Sequence, residues 1–247
     1  MDQAPARHIT YHVVLPGVPV TSTRGALGWC SVVLVQQAEQ NILFDTGSYG
    51  DRQSLLDGLK ALNLTTADID TVFISHFHYD HAVNAELFTQ AKLLISEVEF
   101  EYISSEAYLD VGDPFVPVSL AMVLRDHLIT VSDGQYLAEG VRAILLPGHT
   151  PGNMGLFLED LNTLLAADAV KNGWEFVRGI APPAFHSSDA ALENYAKVKS
   201  ISDIIIPGHD RPFRILDNGD IEYLEDWSVQ IESFADPHND AKRYTMH

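Results

Sequence analysis

The chain has 247 residues, of which 46% are hydrophobic, 20% charged and 9% aromatic. That composition excludes global disorder and is ample for a core. Lys and Arg number 15 against 34 Asp and Glu, a formal charge of −19; with no local basic stripe, such a surface repels phosphate backbones and no nucleic-acid partner is expected.

Residues 1–10 include Asp2, Arg7 and His8, which interrupt any apolar run, so no leader peptide is expected there. No stretch approaches the ~18 apolar residues of a membrane span, and a soluble, cytoplasmic protein without a membrane partner is expected. Cys30 is the only cysteine, which excludes an intramolecular disulfide framework and multi-cysteine zinc fingers. Within the apolar residues 29–35 it reads as a small core residue. No repeat or linker divides the chain, so residues 1–247 read as one domain. In chain order, apolar runs and helical periodicity predict strands at 31–35 and 41–44 joined by a hairpin, a helix at 51–62, and a strand at 71–75. A helix at 82–90, a strand at 92–95 and a helix at 97–108 follow. Strands at 141–146, 154–158 and 163–167 come next, the last two separated by a short polar connection. A helix at 189–200 has Ser187 and Ser188 as caps; a strand at 203–206 and a helix at 224–234 complete the order. This alternation predicts sheets covered by helices in a layered α/β domain. Residues 112–125, with Pro114 and Pro117, break the rhythm and read equally as a surface connection or a lid. The Phe, Tyr and Leu residues of 100–123 point to a homodimer.

The informative segment is Ser75-His76-Phe77-His78-Tyr79-Asp80-His81, which places four ligand-type side chains directly after a strand. Neutral imidazole and carboxylate suit zinc, iron and manganese. On a locally extended chain His76 and His78 point to one side, while Asp80 and His81 begin the turn into the next helix and face a second position. Three more candidates lie just past strand ends. His149 is in Pro147-Gly148-His149-Thr150-Pro151-Gly152, Asp168 follows 163–167, and His209 is in Pro207-Gly208-His209-Asp210. Strand ends are where α/β sheets present functional groups, and glycine beside His149 and His209 permits tight turns and close approach.

Through these residues, with Asp45-Thr46-Gly47 as an early turn, the chain resembles the metallo-β-lactamase superfamily from about residue 31 to 213. The resemblance implies an αββα sandwich, two mixed β-sheets flanked by helices, with a metal site at one edge. It implies His76, His78 and His149 around one divalent ion and Asp80, His81 and His209 around a second. Asp168 would bridge the two, Asp45 would orient a ligand, and Asp80 would also be catalytic. Zinc is the expected metal, with manganese, iron and cobalt compatible with the same ligands. Two such ions with two carboxylates and a hydroxide leave a local charge of about +1, which attracts a polarised carbonyl despite the acidic surface. Cations about 3.5–4 Å apart share a hydroxide and depress the pKa of its parent water toward ~7, so hydrolysis of a small molecule is expected. No Gly-x-Ser-x-Gly elbow or phosphate-binding Gly-x-x-x-x-Gly-Lys loop indicates another mechanism.

Within the superfamily, β-lactamases proper usually carry Cys where Asp168 stands, and nucleic-acid-processing members carry added domains and basic surfaces. Glyoxalase-II-type thioesterases extend further past the last His. The Asp168-Ala169 pair and the ending after Pro207-Gly208-His209-Asp210 look most like the branch of N-acyl homoserine lactone lactonases. Opening of a lactone or related ester is therefore the expected reaction. The alternatives are a glyoxalase-II-type thioesterase and an oxidoreductase like the persulfide dioxygenases, with a single iron held by two His and one Asp. The lactonases commonly place Tyr three residues after the bridging Asp; here that position is Lys171, which either replaces its hydrogen bond, binds a carboxylate or faces solvent. Trp174 and Phe176 read as surfaces for an acyl chain or ring, and Arg178 as a carboxylate anchor. Lys171, Trp174 and Arg178 are thus the expected substrate contacts.

Overall fold

The computed structural model describes residues 8–234, 238 and 240–246. Residues 1–7, most of the segment read as lacking a leader, lie outside the described residues. The first sheet begins with β1 (Thr10–Leu15) and continues, beyond the small hairpin β2 (Thr21–Ser22) and β3 (Gly25–Ala26), with β4 (Val32–Gln37), β5 (Gln40–Phe44), β6 (Thr71–Ile74), β7 (Lys92–Ser96) and β8 (Leu128–Val131). Its order is β1-β4-β5-β6-β7-β8. The second sheet is β9 (Tyr136–Ala138), β10 (Val141–Leu145), β11 (Met154–Leu158), β12 (Thr163–Ala167), β13 (Ile204–Pro207), β14 (Phe213–Ile215) and β15 (Ile221–Tyr223), each beside its successor. β5 to β8 pair in parallel, as do β12 and β13, while the other neighbours are antiparallel. Both sheets are therefore mixed.

Successive side chains on a strand point to opposite faces, and here both faces are covered. On β4, Val33 and Val35 enter the layer between the sheets, where Phe44 and Phe73 meet Leu156, Leu165 and Ile206. Val32 and Leu34 of the same strand face outward. There they meet α1 (Arg52–Ala61), α3 (Glu97–Ser104) and α5 (Val118–Leu124) through Leu55, Leu59, Tyr102, Ile103, Leu120 and Leu124, with the one-turn helices α2 (Tyr79–Ala82) and α4 (Ala107–Asp110) between them in the chain. On β12, Leu165 and Ala167 face the first sheet. Leu164 and Ala166 instead pack on α6 (Gly173–Arg178) and α7 (Ser188–Ile201) through Phe176, Tyr195 and Val198. Burying each large apolar side chain in these layers stabilises by roughly 1.5–3 kcal/mol. Two-sided burial explains why these strands read as unbroken apolar runs.

Several elements differ from expectation. The helix expected at 97–108 is divided between α3 and α4, because Glu106 adopts a left-handed conformation with φ 61°. The helix expected at 82–90 begins earlier, as the single turn α2, and continues only as a 3-10 turn at Ala85–Leu87. Residues 112–125 contain α5 rather than a plain connection. The helix expected at 224–234 is absent; instead β16 (Val229–Ser233) pairs antiparallel with β17 (Lys242–Met246). Val229, Ile231 and Ser233 are half-buried while Gln230 and Glu232 are exposed, a period of two that only a strand satisfies. No helix among the described residues is long and apolar enough to cross a membrane.

The architecture brings one set of strand ends together. β5 and β6 are parallel in the first sheet, and β10, β12 and β13 share a direction in the second. The turns that follow these five strands carry Asp45, the His76–His81 segment, His149, Asp168 and His209.

Candidate metal centre

After β6 the chain bends at Ser75 and His76 and is extended again at His78. Phe77 between them points into the core and is fully buried. The two imidazoles lie together on the other side, their ring centres 4.6 Å apart. α2 then starts, and its single turn places Asp80 and His81, both buried, against a different part of the cluster. The rings of His76 and His149 lie 4.8 Å apart, and those of His76 and His81 4.1 Å apart. Ligand-type atoms fall into three overlapping groups, each within 4.8 Å: His76, His78 and His149; His76, His81 and Asp168; and Asp80, His81 and His209.

Asp168 occupies the centre. Its Oδ1 is 3.4 Å from His81 Nε2 and 3.2 Å from His209 Nε2, whereas its Oδ2 is 3.4 Å from His149 Nε2. One carboxylate thus addresses both flanking groups. Each imidazole is tethered through its other nitrogen. His76 Nδ1 meets Ser75 Oγ at 3.0 Å, His81 Nδ1 meets Asp45 Oδ2 at 2.8 Å, and His209 Nδ1 meets the Trp29 carbonyl at 3.1 Å. His149 Nδ1 is held by the Pro183 carbonyl. Such partners fix the tautomer and aim the free nitrogen inward.

The donor set fits divalent cations. His76 Nε2, His81 Nε2, His209 Nε2 and Asp168 Oδ1 are all buried without a hydrogen-bond partner. An unsatisfied buried polar atom costs about 1–3 kcal/mol, and these four, spread over the overlapping ligand groups, would be satisfied by coordinated cations. Burial lowers His149 to a pKa of about 3 and, with the neighbouring imidazoles, holds His76 well below its usual range. Both are therefore neutral, the form a metal requires. Burial acts to raise Asp168, but Lys171 and the surrounding histidines hold it well below the usual carboxylate range.

The backbone is strained at Asp45 and immediately before Asp168. Asp45 has φ 61°, and Ala167, immediately before Asp168, has φ 47°; left-handed residues other than glycine cost about 1–3 kcal/mol each and gather at functional sites. Gly208 meets a different constraint, since a Cβ there would lie 2.1 Å from Asp168 Oδ1. Gly208→Ala is expected to displace Asp168, to lower stability by about 1–3 kcal/mol and to reduce bound metal, as measured by thermal denaturation and elemental analysis. Cys30 lies in the core at 1% exposure, its thiol donating to the Asp80 carbonyl at 2.8 Å, and burial pushes its pKa to about 12. A thiol reagent should accordingly label it in the denatured chain and not in the folded one.

One buried partner at the site was not legible from sequence. Asp113, in the 112–125 segment, accepts hydrogen bonds from His78 Nε2 at 2.8 Å, the Tyr102 hydroxyl at 3.0 Å and the Phe115 amide at 3.0 Å. This leaves His78 Nδ1 facing the cluster, 3.0 Å from His149 Nε2. The only sequence signal was an Asp-Pro pair in a stretch without periodicity.

The three expected substrate contacts divide. Lys171 Nζ donates to Asp168 Oδ2 at 2.9 Å and lines the cavity over the ligands, together with Tyr79, Phe115 and Phe185. A neighbouring cavity on the His209 side shares Lys171 and adds Val18 and Val20. Trp174 and Arg178 line neither. Helix α6 sets them one turn apart on its outer side, where the Arg178 guanidinium lies 4.4 Å from the ring centre of the 56%-exposed Trp174. Phe176, on the inner side, packs against Tyr195 and Phe213 in the core.

A family model described as the metallo-beta-lactamase superfamily matches residues 27–209. The chain belongs to that superfamily. Its fold, two mixed sheets flanked by helices, is the metallo-beta-lactamase fold. Among metallo-beta-lactamase relatives, the chain is 27% identical over 203 residues to metallo-beta-lactamase domain-containing protein 1 of Xenopus laevis, covering 79% of this chain and 76% of the relative. It is 26% identical over 214 residues to an N-acyl homoserine lactonase of a Bacillus species, covering 74% and 80%. In structure it is similar to AidC, a dizinc quorum-quenching lactonase solved with a product bound. The TM-score is 0.65 at 21% identity, covering 80% of this chain and 79% of that one.

Proposed function

We propose that this metallo-beta-lactamase-fold protein is a hydrolase that opens a lactone or related ester of a small molecule, using two divalent metal ions, zinc foremost. The observation that carries this reading is the position of Asp168. Its two oxygens face separate ligand groups, and buried imidazole nitrogens around it lack any partner. The similarity to lactonases supports the substrate class.

When bound, the two ions supply a hydroxide nucleophile near neutral pH and polarise the substrate carbonyl. His76, His78 and His149 would hold one, and Asp80, His81 and His209 the other, with Asp168 spanning both. Tyr79, Phe115 and Phe185 give the cavity an apolar wall that receives the acyl part of the substrate and excludes water. Lys171, its side chain 19% exposed, presents an ammonium at the cavity floor, where it donates to the substrate carbonyl or to the carboxylate produced.

The decisive experiment screens lactones, thioesters and phosphodiesters on protein whose metal content is determined in the same sample. Lactone turnover with two ions per chain is expected. Phosphodiester turnover in its place, or a single iron with oxygen uptake, overturns the reading. Lys171→Met is expected to lower kcat/KM for the best lactone by about 10- to 100-fold, the weight of one hydrogen bond from a charged donor, with both ions retained.

A further inference from the structure

Glu99 is a fully buried carboxylate on α3, a helix that carries none of the ligands. Its Oε1 accepts the Phe77 amide at 2.9 Å; its Oε2 accepts the Thr150 hydroxyl at 2.8 Å and the Gly152 amide at 3.1 Å. Phe77 lies between His76 and His78, and Thr150 follows His149. One side chain therefore ties together the two turns that deliver the first ligand trio. None of its hydrogen bonds reaches Asp80, His81 or His209. The second turn also presses directly on α3, since a Cβ on Gly152 would fall 2.1 Å from the Glu99 amide nitrogen.

A carboxylate is the only side chain that suits this position. All three groups around it are donors, and an ionised carboxylate is purely an acceptor. Glutamine has the same shape, but its amide nitrogen must face either the Phe77 amide or the Gly152 amide, placing donor against donor there and loosening that turn, while the Thr150 hydroxyl can reverse its role. We infer that Glu99 is a positioning residue that sets the spacing between the His76–His78 turn and the His149 turn, and with it the metal affinity of that trio alone. The inference rests on the two-ion reading of the cluster, and its test does not require turnover.

The test titrates the full-length metal-free protein with Zn²⁺, following imidazole ¹⁵N resonances so that His76, His78 and His149 report one site and His81 and His209 the other. In Glu99→Gln the first set should bind about 10- to 100-fold more weakly, the scale on which ligand-supporting partners act, and the second set should bind as in wild type. Thr150→Val removes one of the three bonds at constant volume and should shift the same set by a smaller factor; it serves if Glu99→Gln does not fold. Equal weakening of both sets would show a purely structural role and overturn the inference, as would wild-type binding at both. A wild-type chain that binds two ions but opens no lactone rejects the hydrolase reading and leaves Glu99 to be judged on the titration. A chain that binds none overturns both.

Discussion

Asp168→Ala is expected to lower the proposed lactone hydrolysis by at least about a hundredfold, the scale on which single preorganised electrostatic groups act, while leaving the fold in place. The carboxylate lies 3.2–3.4 Å from nitrogens of His209, His81 and His149, so its loss removes the one group shared by both ligand sets. The neighbouring Ala169 and Val170, both fully buried, carry the packing of this turn. Lys171 loses its partner but has access to the water of the cavity, so the melting temperature should fall by no more than it does when bound metal is removed. Turnover and metal content should be measured on the same preparation. Unchanged turnover would place the reaction elsewhere in the molecule.

Removal of bound metal is expected to abolish turnover and to destabilise the chain. A ligand present at a hundredfold excess over its dissociation constant stabilises the folded state by about 2.7 kcal/mol. Two such ions contribute about 5.4 kcal/mol, and in a domain of this size each kcal/mol moves the melting temperature by about 2–4 °C, so chelation should lower it by roughly 10–20 °C. Adding back zinc, manganese, cobalt or iron singly should restore both properties to different extents, and calorimetry with parallel assays will rank them. A chelated sample with unchanged melting temperature and activity contradicts the proposal.

The central strands of both sheets could be read from the sequence because burial on two sides makes them continuous apolar runs, as in residues 32–35 and 163–167; the outer strands β1, β8, β9, β14 and β15 could not, because they are only partly buried. The ligand candidates were legible for a different reason: four fall in one short segment and the others directly follow such runs. The partners that hold them were not. Asp113 and Glu99 act across 35 and 22 residues of chain respectively, on His78 Nε2 and the Phe77 amide, and no local pattern encodes that pairing. For Glu99 the sequence carries one signal, its place on the same buried helix face as Tyr102 and Ile103, where a carboxylate requires a partner. The tail failed as a helix because the apolar positions of 229–233 alternate, a signal too short to outweigh the surrounding polar residues. Composition alone points Trp174 and Arg178 to the cavity, but the rotation of α6 sends Phe176 inward and those two outward.

The cluster draws His76, His78, Asp80 and His81 from the half of the chain that builds the first sheet, and His149, Asp168 and His209 from the half that builds the second. Bound ions would therefore act as a removable rivet between the halves of the sandwich, joining segments separated by about seventy to one hundred and thirty positions. Such a fastening can form only after the halves have docked, so it should contribute little to the speed of refolding and chiefly slow the opening of the sandwich. Loading would thus set how long a molecule resists protease when cleavage outruns reclosure.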